Sequence, residues 1–167
     1  LFSFLSQRGV KTYLLSGDDP QTTINIGRKL LLEHENVKGG CSPEDKIRFV
    51  KSLANSEVVA MVGDGVNDAG AIAAAGVGIA VHGGVEISLK ASDVYLLDGT
   101  IAKIKELILG AENTHRTLSY AIFFSLVYNF FVGVLAVLGY ITPLLAAILM
   151  PFSSITVIFL AIKGRSY

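Results

Sequence analysis

Three short stretches carry residue types able to handle phosphate. The first is Met61-Val62-Gly63-Asp64-Gly65-Val66-Asn67-Asp68-Ala69. An apolar run ends there, a glycine permits a sharp turn, and an acid follows at what would be the carboxyl edge of a strand. Open α/β sheets bind their ligands at that edge. Asp64 and Asp68 stand four apart, so a turn running into a helix aims both carboxylates at one place. Hard oxygen donors in such a place suit Mg²⁺, which keeps several waters and takes one or two carboxylates plus phosphate. The plain alternative for a bare Gly-Asp-Gly is a solvated loop with helix-capping acids, and the length of the full motif argues against it.

The second stretch is Ser16-Gly17-Asp18, after another short apolar run. A hydroxyl and backbone N–H groups just before a helix suit a phosphoryl group, although Ser-Gly-Asp is also an ordinary turn. The third is Pro43-Glu44-Asp45-Lys46. Lys46 offers a compact positive charge for phosphate; alone it reads equally well as a surface lysine. Cys41 and His82 have no partners at ligand spacing and read as structural.

These residues need elements to hold them. Residues 1–8 read as a helix end closed by Gly9, and Lys11–Leu15 as a strand. Asp19-Pro20 starts a helix with Ile24, Ile26 and Leu30 on partly apolar faces. Val37–Cys41 reads as a weak strand. Ser42-Pro43-Glu44-Asp45 repeats the helix-start pattern, and Ile47, Val50 and Leu53 give that helix an apolar stripe. Val58–Val62, Val77–Val81 and Val94–Leu97 read as buried strands, with a short helix at Asn67–Ala75. Strands alternating with helices imply an α/β fold with a parallel sheet.

Two apolar stretches follow. Thr117–Leu138 carries no charge and as a helix is about 33 Å long; Leu144–Ile162 is about 28 Å. Both match a bilayer's hydrocarbon thickness. Only Gly139-Tyr140-Ile141-Thr142-Pro143 separates them, which argues against a buried core helix. Lys103, Lys105, His115 and Arg116 precede the first stretch, and Lys163 and Arg165 follow the second. Positive charge stays inside, so the soluble part and the C-terminus are expected in the cytoplasm, in a plasma or inner membrane. The expected domains are 1–110, soluble, and 111–167, two transmembrane helices in a hairpin.

The 167 residues include 14 basic and 14 acidic side chains, with a formal net charge of zero. That balance offers no basic surface for nucleic acid. One cysteine excludes an internal disulfide and fits a reducing compartment. No cleavable signal is visible, and Leu1 is not expected to be the natural start.

Together, in this order, the three stretches resemble the haloacid-dehalogenase-like catalytic domain of P-type ATPases. Ser16-Gly17-Asp18-Asp19 is similar to the family's Thr-Gly-Asp segment. Pro43 to Lys46 resembles the segment with the phosphate-contacting lysine, and Met61 to Ala69 the magnesium-binding hinge. Val77–Val81 and Ala91-Ser92-Asp93-Val94 also have counterparts. Gly70 departs from the family's proline. The resemblance implies catalytic roles for Lys46, Asp64 and Asp68, phosphate binding by Ser16, Gly17, Asp18, Lys46 and Asn67, and Mg²⁺ at Asp64 and Asp68.

Tyr128-Asn129 in the first apolar stretch and Met150-Pro151-Phe152-Ser153-Ser154 in the second resemble the copper(I)-transporting members. On that resemblance Tyr128, Asn129, Met150 and Ser154 meet the transported metal. A thioether suits Cu(I), and Met150 and Ser154 share a helix face. The zinc and cadmium pumps of the class carry a lysine and an aspartate in these spans, which are uncharged here. The family's nucleophilic aspartate, in an Asp-Lys-Thr-Gly-Thr segment, its cysteine motif and its ATP-binding domain are absent. The expected function is therefore one piece of an ATP-driven Cu(I) exporter. The piece alone is expected to be inactive, whether it is a truncated gene, a partial sequence or a split product. The expected partners are the bilayer, the metal, the remainder of the pump and a copper chaperone. Open alternatives are a Zn(II) or Cd(II) pump, a membrane-anchored phosphatase of the same superfamily, and a non-catalytic remnant.

Overall fold

The computed structural model describes residues 1–64, 66–81, 90–98 and 100–163. The chain divides into two compact units, Leu1–Lys105 and Glu106–Tyr167.

The first unit begins with helix α1 (Phe2–Gln7), which ends at Gly9 with φ +70. Strand β1 (Leu14–Leu15) follows, then helix α2 (Pro20–Lys29), capped by the Asp19 carboxylate accepting from the Thr22 N–H at 3.1 Å. Pro20 at the first helical position needs no hydrogen bond there. The buried face of α2 is not the expected isoleucine face. Thr23 and Gly27 are buried instead, and Ile26 is exposed. The cause is close approach: a Cβ on Gly27 would lie 2.5 Å from Val37 Cγ2.

Strand β2 (Val37–Lys38) pairs parallel with β1. Helix α3 (Pro43–Ala54) starts in a reciprocal capping box. The Ser42 hydroxyl accepts from the Asp45 N–H, and the Asp45 carboxylate accepts from the Ser42 N–H. Val50 is buried, with Ile47 and Leu53 half-buried beside it, so the apolar stripe faces inward as its spacing implies.

Strand β3 (Ala60–Gly63), helix α4 (Ala69–Ala74), β4 (Val77–Val81) and β5 (Val94–Leu96) form a three-stranded parallel sheet in the order β3-β4-β5. The central strand β4 is the most enclosed, with Ile79, Ala80 and Val81 buried. Val58, read as the start of a buried strand, is 90% exposed and lies outside β3. Every ladder is parallel, but the described strands make two sheets, β1-β2 and β3-β4-β5. No described strand joins β1 to β3. Helix α3 reaches the first sheet through Phe49, whose ring meets Tyr13 edge-on at 5.2 Å and lies under the Lys38 ammonium. It also packs along α4.

The second unit is a helical hairpin. Helix α5 (Lys103–Val137) runs 35 residues, about 50 Å. It begins earlier than the apolar stretch because Lys103–Arg116 also takes up the helix. Gly139, with φ +80, ends it, and the Tyr140 N–H reaches back to the Leu135 carbonyl. Thr142 caps α6 (Pro143–Lys163), which contains Pro151. Among the described residues α5 is long and apolar enough to cross a membrane, with mean hydropathy 2.0; Leu144–Phe159 is a shorter apolar helix.

Candidate active site

Two of the three phosphate-type stretches emerge where a strand ends, Ser16 after β1 and Asp64 after β3. Gly63 closes β3 and Asp64 follows it, exposed. Position 65 lies outside the described residues. A short 3-10 turn at Val66–Asp68 then leads into α4, which swings Asp68 back beneath the strand end. A Cβ on Gly63 would lie 2.6 Å from the Asp68 Cβ and 2.9 Å from its Oδ2. Glycine is therefore required there by contact, and that role was not visible in the motif.

Lys46 meets Asp68 from the first turn of α3. Its Nζ donates to Asp68 Oδ1 at 2.7 Å, and each side chain is only 12% exposed. The sequence singled out both residues separately; the structure makes them one ion pair. A lysine ammonium has three donors, and this bond uses one. Asp64 makes no hydrogen bond or ion pair among the described residues. Asn67 is exposed beside it.

The Ser16 loop is closed on itself. The Ser16 hydroxyl donates to Asp18 Oδ2 at 3.0 Å and accepts from the Asp18 N–H at 3.2 Å. Backbone bonds also fasten this loop to the segment before α3. The Ser16 N–H donates to the Lys38 carbonyl, the Cys41 N–H to the Ser16 carbonyl, and the Gly40 N–H to the Asp18 carbonyl, at 2.9, 2.8 and 2.7 Å. The run from Lys38 to Ser42 thus carries the Ser16 loop on one side and the start of α3, with Lys46, on the other. Tandem glycines make this possible. Gly40 sits at φ +67, and a Cβ on Gly39 would lie 2.5 Å from Pro20 Cα. Gly39-Gly40 after a short strand was the available signal, and it passed unused. Cys41 is half-buried, its thiol 3.5 Å from the Lys38 carbonyl. His82 lies outside the described residues.

The departure at Gly70 also has a physical setting. A Cβ there would lie 2.6 Å from Ile47 Cδ1, so the side chain next to Lys46 occupies the space a larger residue would take.

Asp45, beside Lys46, is a carboxyl whose charge is stabilised by its neighbours. The Ser42 hydroxyl and then the Ser42 N–H hold the Asp45 carboxyl below the ordinary carboxylate range, with Arg48 adding to it at 2.6 Å.

The donor set fits Mg²⁺ as a partner of phosphate. Asp64 presents an unengaged carboxylate at the strand edge, and Asp68 keeps one oxygen outside its bond to Lys46. No cluster of three or more protein ligands exists among the described residues, and Mg²⁺ rarely needs one because water and phosphate complete its shell.

In the second unit, the Tyr128 hydroxyl donates to the Leu149 carbonyl at 2.9 Å, joining α5 to α6. Asn129 is exposed and donates to Ser125 Oγ at 3.3 Å. Ser154 is exposed. The side chain of Met150 and residue Arg165 lie outside the described residues.

Residues 1–76 match the family of haloacid dehalogenase-like hydrolases. The chain is 32% identical over 155 residues to a probable copper-importing P-type ATPase A of Enterococcus hirae, covering 92% of this chain and 21% of that protein. It is 36% identical over 170 residues to a silver exporting P-type ATPase of Salmonella typhimurium, covering 97% of this chain and 20% of that one. The crystal structure of a zinc-transporting PIB-type ATPase in its E2.Pi state superposes with a TM-score of 0.90 at 32% identity, covering 98% of this chain and 26% of the other. The chain therefore spans about a fifth of the length of these curated relatives. With both its α/β unit and its helical hairpin included in these alignments, the chain is a partial-length homologue of the heavy-metal P-type ATPases.

Proposed function

We propose that this chain supplies the phosphate-handling edge and two membrane spans of an ATP-driven heavy-metal pump. The observation that carries the reading is the Lys46–Asp68 pair, sheltered beside the end of β3 with Asp64 open next to it.

In the working pump a phosphoryl group sits on an aspartate supplied by sequence outside this chain. Lys46 keeps two N–H donors for its oxygens while Asp68 fixes the ammonium in place. The Ser16 hydroxyl exchanges its bond to Asp18 for one to the phosphate, and the N–H groups of Gly17 and, once released from Ser16, Asp18 donate to the same anion. Asn67 adds a side-chain amide donor. Asp64 and Asp68 would hold Mg²⁺, which would supply positive charge against the transferring group. The protein's own share is positioning and electrostatic stabilisation. Cycling between phosphorylated and free states biases the spans.

The cargo is proposed to be Cu(I), exported past Asn129, Met150 and Ser154. Support comes from the soft thioether and from the absence of charge in either apolar stretch. Tyr128, whose hydroxyl is already engaged, has a separate part. The partners are the bilayer, the rest of the pump and a copper chaperone, with the soluble unit in the cytoplasm and both spans crossing the membrane. The superposition on a zinc-transporting ATPase favours Zn(II) as the second reading.

The test is ATP hydrolysis by the complete pump containing this chain, in proteoliposomes. Stimulation by Cu(I) and not Zn²⁺ is expected. Stimulation by Zn²⁺ alone would replace copper with zinc, and hydrolysis indifferent to any metal would remove the pump reading. The chain by itself is expected to turn over no ATP.

A further inference from the structure

The Tyr128 hydroxyl is committed to a backbone carbonyl, that of Leu149, at 2.9 Å. That carbonyl lies in the same planar peptide unit as the nitrogen of Met150. Whatever fixes it fixes the backbone on which residue 150 is mounted.

The location matters because Pro151 is next. Proline brings no N–H, so the carbonyl four residues earlier, that of Ala147, loses its helical donor, and helices bend at such points. In a spanning helix the disturbed turn is steadied by polar groups from neighbouring elements. Asn129 bonds to Ser125 on α5, and Thr156 bonds back to the Phe152 carbonyl at 2.8 Å on α6. Tyr128 instead makes a side-chain bond that crosses from one helix to the other. A phenol is also a hard oxygen donor, poorly matched to a soft cation such as Cu(I) or Ag(I).

We propose that Tyr128 is a positioning residue: it latches α5 to the Leu149–Met150 peptide and sets the height at which residue 150 is presented, without ligating the transported ion. The cargo part rests on the pump reading above; the latch does not.

The full chain has two methionines, Met61 and Met150. Labelled with ¹³C at the methionine methyls in detergent micelles, it gives two signals, and Met61 reports whether the first unit remains folded. In Tyr128→Phe the Met150 signal is expected to broaden or split while Met61 is unchanged. Amide exchange across residues 147–152 is expected to rise about 3- to 15-fold, the value of one hydrogen bond between membrane helices. Ag(I), used as the soft probe, is expected still to shift the Met150 signal, with affinity only several-fold weaker. The latch is overturned if Tyr128→Phe leaves the Met150 signal and local exchange unaltered, whether or not Ag(I) binding survives. Abolished Ag(I) binding would overturn the non-ligand role. If Ag(I) fails to shift Met150 in the native chain, the cargo reading falls, and exchange still decides the latch.

Discussion

At the scale of single residues, the Lys46–Asp68 pair is the most consequential contact. Removing one partner of a sheltered ion pair strands the other charge, whereas replacing both with apolar groups is often nearly neutral. Lys46→Met is therefore expected to destabilise the first unit by about 2–4 kcal/mol. Lys46→Met combined with Asp68→Leu should recover most of that. Thermal unfolding of the full chain in detergent, arranged as a double-mutant cycle, measures the coupling. Equal losses in the single and double variants would show that the two charges do not depend on each other. Both residues stood out in the sequence because acids and lysines in those motifs imply phosphate chemistry. Their pairing did not, because it joins positions 22 apart through a turn whose geometry Gly63 sets by contact.

Elements show which parts of the fold were open to reading. The start of α3 was legible because capping is local: Ser42, Pro43 and Asp45 lie within one turn. Its acid response follows. Asp45 has a lowered pKa in the folded chain, so its contribution is complete above the ordinary carboxylate range and is lost as pH falls through the lowered value. Ser42→Ala removes the first cause of that shift. A carboxyl NMR titration should then find the Asp45 midpoint at higher pH, and an unmoved midpoint would assign the shift to the Ser42 N–H and Arg48. The end of α2 was less legible. Leu31 adopts φ 58 and is 86% exposed, a left-handed position without glycine. Leu31→Gly is expected to stabilise the chain by about 1 kcal/mol, raising the thermal midpoint. The face that α2 buries also escaped the sequence, because Thr23 and Gly27 are chosen for smallness against Val37 and not for hydrophobicity.

For the molecule as a whole, the two apolar stretches were the plainest part of the sequence, since length and absence of charge suffice to mark them. The rings of the first stretch lie open on α5: Phe123 is 68%, Phe130 68% and Phe131 61% exposed. Exposed aromatic surface on this scale is unsuited to water. The chain is expected to sediment with membranes and resist alkaline carbonate; release into the supernatant would count against integral insertion. The division of the strands into two sheets was not legible, because strand propensity marks strands but not their neighbours.

The five residues from Lys38 to Ser42 serve two masters, the serine loop and the lysine helix. Their number is consequently less negotiable than their identity. Adding or deleting a single residue there would shift hydroxyl and ammonium relative to each other, while many side-chain replacements at positions 38 and 41 would leave the spacing intact. Length polymorphism should therefore be purged from this interval even where the letters drift.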